Sequence, residues 1–436
     1  MTHHIPDTDL AGHIQAALAT TPSRLPDSDL LTFVERHFAN GRRILETISR
    51  SVSPCYLFEK DMIAERANAF RKAFESRLPD TGFYFAMKSN NCPDVSRAVL
   101  QTGFGLDVSS GVELAVALDL GADDIVFSGP GKTEAELSLA MAHSDRVVIL
   151  VDSFTELGRL SRLAERRKRT MSIGVRLTND PRGLWRKFGI PCEQLKAFID
   201  QCQTLPFIDF SGLQFHSSWN MGPERQIDFI RDLGLLIDTL TDAQRGMIRF
   251  IDIGGGYWPE DGEWMQPAAT VPGQVRQVLG LSDADRGHYL NPSTPIERFA
   301  EILSEAITRH LLSRTASRIC FEPGRFICHD AMHLFLTVLD RKYDDLVITD
   351  AGTNMVGWER FEVDYFPVLN LTRPALSEKP CMILGSLCTP HDVWGYSYWG
   401  EDIREGDILM IPTQGAYTFS LRQHFIKPVP DVIIYP

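Results

Sequence analysis

At 436 residues the chain exceeds one ordinary domain, and a norm of roughly 150 residues per domain points to two, one of them large. A formal net charge of -13 excludes a surface that tracks nucleic acid or an anionic membrane, since either needs clustered Lys and Arg. Hydrophobic residues at 44% and charged residues at 23% exclude a disordered chain and fit a globular one with a sizeable core.

The opening MTHHIPDTDLAGHIQ lacks the basic-then-apolar layout of a signal peptide, and no run of about 20 apolar residues follows, so a cytoplasmic protein is expected. Residues 1–53 read as a polar, helical lead-in: Leu31, Phe33, Val34, Phe38 and Ile44 fall at roughly helical spacing. The segment is expected to pack on the domain edges and to complete the C-terminal domain.

From Pro54 short β-rich runs alternate with amphipathic helical segments, as in TGFYFAMK, CPDVSRAVLQTG, GLDVSS, GVELAVALDLGA and DIVFSG. The rhythm continues through RVVILVDS, SIGVRLT, FSGLQFH, RFIDIGGG and SRICFEPGR and comes close to eight units. It predicts an α/β fold whose main body, residues 54–330, is a (β/α)8 TIM barrel. The Pro-rich stretch 259–296 reads as an insertion in a barrel loop.

Beyond residue 330 the helical period disappears, and HLFLTVLDRKY, DLVITDAG, CMILGSLC and DILMIPTQGAYTFS predict a C-terminal β-domain over 331–436. Cysteines at 55, 92, 192, 202, 320, 328, 381 and 388 show no C-x-x-C spacing. They are expected to be free thiols, and no metal site is expected.

Four patterns carry chemistry. Lys88 in FYFAMKSN ends an early strand, where barrel enzymes place reactive groups; an apolar approach there would lower its pKa and favour covalent work. Gly254, Gly255 and Gly256 end another strand with bare backbone N–H groups suited to a phosphate. Glu322 and Arg325 in FEPGR pair a carboxylate with a guanidinium, and Tyr417 in GAYT offers a hydroxyl. Taken singly, each is as readily a surface lysine, a tight turn, an ion pair or a packed tyrosine.

Together YFAMKSN, GLDVSSGVEL, the KFG of Lys187, Phe188 and Gly189, DIGGGY, EPGR, GSLCTPHD and GAYT resemble the fold-type III pyridoxal-phosphate (PLP) decarboxylases, the alanine-racemase-like family of diaminopimelate, ornithine and arginine decarboxylases. The resemblance runs from about Pro54 to the C-terminus. It implies that Lys88 carries the cofactor covalently with Asp107 as its charge partner. It also implies that Gly254, Gly255, Gly256, Arg325 and Tyr417 hold the phosphate, and that Glu322 faces the pyridine nitrogen so that the ring acts as an electron sink. His216 would stack on the ring, and Arg176 would meet its ring oxygen. Cys388 would reach the active site of a second copy and protonate the product carbon, making the enzyme a homodimer with shared sites.

The sequence departs from the family after that cysteine. Where ornithine and diaminopimelate enzymes carry an acid for the distal ammonium, this chain has Thr389. Trp219 also replaces a small residue after the histidine, and Trp394, Tyr396, Tyr398 and Trp399 offer further aromatic walls. Losing a buried carboxylate partner costs an ammonium several kcal/mol, so the expected substrate is an amino acid with a conjugated distal end: acyl, citryl or carrier-bound. Asp350, Thr389, Asp392 and Trp219 are the candidate substrate contacts.

Other readings stay open at this stage. They are decarboxylation of free diaminopimelate, or of D- or L-ornithine or lysine, in primary metabolism; racemisation, which Glu322 disfavours; a non-catalytic protein-binding relative; and a cofactor-free Schiff-base aldolase, which explains neither GAYT nor the β-domain.

Overall fold

Cys55–Glu59 (β1) is almost wholly buried, and the chain turns from it directly into the helix Lys60–Glu75, whose Ile63, Ala67, Phe70 and Phe74 face the core at helical spacing. The structure is a computed structural model and describes residues 10–48, 53–178, 183–281, 287–357 and 360–435. The opening MTHHIPDTD and the middle of the insertion, 282–286, lie outside the described residues.

Eight parallel strands follow: Thr81–Ala86 (β2), Gly105–Val108 (β3), Ile125–Phe127 (β4), Val147–Val151 (β5), Met171–Thr178 (β6), Ile208–Gln214 (β7), Phe250–Asp252 (β8) and Arg318–Phe321 (β9). They pair in sequence order, and β9 returns to β2, which closes a TIM barrel. Tyr84, Val126, Leu150 and Cys320 fill its interior, with Phe250 packed against them. Phe250 fits because Gly212 lies opposite; a Cβ at Gly212 would sit 2.4 Å from the ring.

The second sheet has eight strands: β1 with Met332–Tyr343 (β10), Leu346–Thr349 (β11), Leu369–Asn370 (β12), Glu378–Leu384 (β13), Val393–Trp399 (β14), Ile408–Ile411 (β15) and Val432–Tyr435 (β16). Here the structure moves a boundary. Cys55–Glu59 lies inside the span read as barrel, yet it pairs antiparallel with β10 and parallel with β16. Its run of buried apolar residues fits a strand covered on both faces in either sheet, so local pattern cannot assign it.

The helices Asp27–Ala39 and Gly41–Ile48 bury Leu30, Phe33, Val34, Ile44 and Ile48 in one cluster with Phe335, Leu369, Trp399 and Met410 of the β-domain. The insertion forms a two-stranded ribbon, Glu263–Met265 with Tyr289–Asn291, and Trp264 meets Phe33 edge-on at 4.8 Å. The lead-in helices thereby reach a loop that borders the barrel mouth. Among the described residues no helix is long and apolar enough to cross a membrane, and no group of His, Cys, Asp and Glu could hold a metal ion.

Candidate active site

Lys88 lies on the short 3-10 turn Met87–Ser89 just past β2, and two contacts from the β-domain fix that turn. The backbone N–H of Tyr417 donates to Ser89 O at 2.7 Å, and Asn90 Nδ2 donates to Gly415 O at 2.8 Å. Gly415 is required because a Cβ there would lie 1.6 Å from Cys328 O. The GAYT motif therefore docks the second domain onto the lysine turn, and Tyr417 itself takes a left-handed backbone with φ 58.

Lys88 Nζ donates to Asp107 Oδ2 at 2.8 Å. Asp107 is fully buried, and Ser128 Oγ donates to its other oxygen. Burial alone would lower the lysine, as the sequence suggests, but Asp107 and then Glu322 outweigh it and push its pKa above the ordinary value. That corrects the expected sign: the apolar approach is real, but a partner 19 positions away in the chain decides the charge. Asp107 itself is raised, by burial and the nearby Glu322, against the pull of Lys88.

Glu322 is buried just past β9 and accepts from Gln214 Nε2 at 3.3 Å. Burial would raise its carboxyl, but His216, Lys88 and Arg176 outweigh burial and hold it below the usual carboxylate range. His216 Nδ1 lies 3.6 Å from Glu322 Oε2 and accepts the Gly255 N–H at 3.1 Å, while Nε2 faces Ser218 Oγ at 3.3 Å. Burial, ahead of the opposing pull of Glu322, lowers the pKa of the imidazole.

The glycine turn is built from both sides. Gly254 N–H donates to Asp252 Oδ1 at 2.8 Å, Gly254 and Gly256 have φ of 72 and 89, and a Cβ on Gly255 would fall 2.2 Å from Glu322 O. Arg325 lies with its guanidinium carbon 4.2 Å from the Trp258 ring centroid and 5.1 Å from that of Tyr417. Arg176 stacks over Phe188 of the KFG motif at 4.4 Å and hydrogen-bonds no acceptor among the described residues.

These groups open on one cleft of about 680 Å³. Of the predicted set, Lys88, Arg176, His216, Trp219, Gly256, Glu322, Arg325 and Tyr417 line it, while Asp107, Gly254 and Gly255 stand directly behind the wall. The residues present fit pyridoxal phosphate: a lysine at the strand ends, a glycine turn too tight for any Cβ, an arginine beside it, an ionised carboxyl opposite, and a buried guanidinium with no acceptor among the described residues.

Asp350, Cys388, Thr389 and Asp392 do not line this cleft. Asp392 is a correction. Its two oxygens accept the N–H groups of Thr353 at 2.7 Å and Leu387 at 2.6 Å, so it fixes a loop. Asp350 likewise accepts Thr337 N–H at 2.8 Å and holds the strand pair β10 and β11. Cys388 is exposed on the same loop. The expected aromatic walls are also corrected: Trp394, Tyr398 and Trp399 are buried in the β-domain, and Trp399 Nε1 donates to Tyr365 OH at 3.2 Å.

Sequence reasoning missed Ser128, Gln214, Trp258 and Asp364. Gln214 immediately precedes the FHSS segment, and Trp258 follows the glycine turn, so proximity to a motif was the available signal. Ser128 and Asp364 carry none.

A closed parallel barrel with a cofactor-type lysine at the strand ends, locked by a β-domain, defines a PLP-type barrel enzyme. The chain belongs to the family described as pyridoxal-dependent decarboxylase, pyridoxal binding domain, which matches residues 60–329. It is an amino-acid decarboxylase, and its cofactor is PLP. The diaminopimelate decarboxylase of Aquifex aeolicus is 26% identical over 89% of this chain and 87% of its own. The L-glutamyl-[BtrI acyl-carrier protein] decarboxylase of Niallia circulans is 26% identical over 88% of this chain and 89% of its own. The 2-[(L-alanin-3-ylcarbamoyl)methyl]-2-hydroxybutanedioate decarboxylase of Staphylococcus aureus is 26% identical over 82% and 89%. A solved diaminopimelate decarboxylase from M. jannaschii shares the fold at a TM-score of 0.75, with 21% identity over 90% of this chain and 89% of that one.

Proposed function

We propose that this enzyme removes carbon dioxide from an amino acid whose distal end is conjugated, by an acyl, citryl or carrier group, in a biosynthetic pathway. The observation that carries it is the cleft wall of Trp185, Trp219 and Trp258, with a threonine rather than an acid at position 389 on the Cys388 loop that in this reading reaches a second copy. Trp219 holds a left-handed backbone with φ 54 and stays 58% exposed, so its indole is presented at the mouth rather than packed away. Two of the relatives named above act on conjugated substrates.

In this reading Lys88 holds the cofactor, and Gly254, Gly255, Gly256, Arg325 and Tyr417 hold its phosphate. Asp107 would orient Lys88, Arg176 would meet the ring oxygen, His216 would cover one ring face, and Glu322 would keep the pyridine nitrogen protonated. Bound there, the cofactor supplies an electron sink for the pair left by the departing carboxylate. Cys388 Sγ, exposed on its loop and away from its own chain's cleft, supplies the proton to that carbon in a second copy, which makes the working unit a homodimer. Eight free thiols agree with a cytoplasmic setting.

One observation favours a second reading. Asp364 lines the same cleft, and a carboxylate there could meet the free ammonium of diaminopimelate or lysine. A single-pot competition between free diamino acids, in D and L forms, and acyl or citryl diamino-acid conjugates, read by product mass, separates the two. Preferential turnover of conjugates supports the proposal; preference for a free diamino acid overturns it.

A further inference from the structure

Asp252 stands behind the cleft and is not among the groups given a role so far. It ends β8 and pairs in register with Gln214 on β7 and Cys320 on β9. Glu322 lies two residues beyond Cys320, so its side chain shares the same inward face of the barrel. Asp252 is fully buried, its Oδ1 accepts Gly254 N–H at 2.8 Å, and its Oδ2 has no hydrogen-bond donor among the described residues. Glu322, two residues past its register partner Cys320, is the charged group that acts on Asp252 most strongly, and its carboxyl is itself an acceptor. The neighbouring Gln214 directs its Nε2 to Glu322 at 3.3 Å, and its Oε1 is an unpartnered acceptor, so it does not relieve Asp252.

Two bare carboxylates facing each other in a buried site repel strongly, and a single proton turns the clash into a charge-assisted hydrogen bond. The surroundings decide which one takes it. Lys88, Arg176 and His216 lie around Glu322, whereas Asp252 has one backbone N–H for support and the acids Asp107 and Glu322, with Tyr257 and Cys320, for neighbours. We propose that Asp252 is a neutral acid whose Oδ2–H donates to Glu322, so that one side chain positions both the glycine turn and the carboxylate opposite the cofactor ring. The directions agree: burial and then Glu322 raise Asp252, while Glu322 is held low.

Asp252 is a positioning residue, acting through Glu322 and Gly254, and the inference rests on the PLP reading of this cleft. An amide reproduces a protonated carboxyl almost atom for atom: in Asp252→Asn the oxygen still accepts from Gly254 and the NH2 still donates to Glu322. Isotope-edited infrared spectra of protein labelled at aspartate carboxyls, with and without PLP, should show a protonated-carboxyl band that is lost in Asp252→Asn. PLP affinity by absorbance titration should stay within about threefold in that variant and fall at least about tenfold in Asp252→Leu, where the donor is gone. The alkaline limb of the kcat/KM profile should move in Asp252→Leu and stay in Asp252→Asn. No protonated band in the wild type, or an Asn variant as impaired as the Leu variant, overturns the proposal. Unchanged PLP affinity in Asp252→Leu also overturns it. The infrared band is read without turnover, so a failed decarboxylase assignment would leave the test of Asp252 intact.

Discussion

Lys88 Nζ lies 2.8 Å from Oδ2 of Asp107, and the two sit at the ends of adjacent strands with the carboxyl wholly buried and about a third of the lysine side chain open to the cleft. Removing either partner leaves a charge without its counter-ion. Asp107→Asn should lower stability by about 2 kcal/mol, less than a fully buried pair because solvent reaches Lys88. It should also lower the lysine pKa toward its ordinary value. Chemical denaturation and the pH dependence of Lys88 reactivity check both.

The glycine turn permits no side chain. Gly255→Ala places a Cβ 2.2 Å from Glu322 O, and the forced shift should cost about 1–3 kcal/mol and displace Glu322 from the cleft. PLP affinity by titration should drop at least about tenfold. Wild-type affinity in this variant would mean that the turn does not hold the cofactor.

His37 makes the docking of the lead-in helices sensitive to acid. Burial first, then His333 with its ring centroid 5.8 Å away, lower its pKa to about 3, against an unfolded value of about 6.5. A depressed histidine means that the unfolded chain binds the extra proton, so stability is intact above about 6.5 and declines as the pH falls toward about 3. Thermal midpoints across that window should fall in the wild type and flatten in His37→Gln.

If the proposed reading holds, the residue after Cys388, brought to the cleft of a second copy, and the tryptophan at the mouth set the distal preference. Thr389→Glu should give no gain on a conjugated substrate and about a tenfold gain in kcat/KM on a free diamino acid. Trp219→Ala should raise KM for the conjugate more than it lowers kcat, since the indole binds rather than reacts. Steady-state kinetics on both substrates checks this pair.

The barrel, the β-domain and the wall of the cleft were legible in the sequence because they are written locally. Strand–glycine junctions such as DIGGG and a lysine just past a strand keep their meaning whatever surrounds them. What was not legible depends on distant partners. Cys55–Glu59 is a buried apolar strand that could have served either sheet. Trp394 and Trp399 look like cleft aromatics until the β-domain closes over them. Asp392 looks like a substrate acid until two backbone N–H groups claim it, and the sign of the Lys88 shift depends on Asp107. Ser128, just past the strand of DIVFSG, has a strand-end position but no motif, and Asp364 reaches the cleft from the β-domain.

The central claim is that Lys88 holds the cofactor at this cleft, and borohydride reduction of the PLP-loaded protein followed by peptide mass mapping tests it most directly. The account predicts a pyridoxyl adduct on the peptide carrying Lys88 and none after Lys88→Ala. An adduct on Lys132 or Lys187 instead, or no adduct on a protein saturated with PLP, would contradict it.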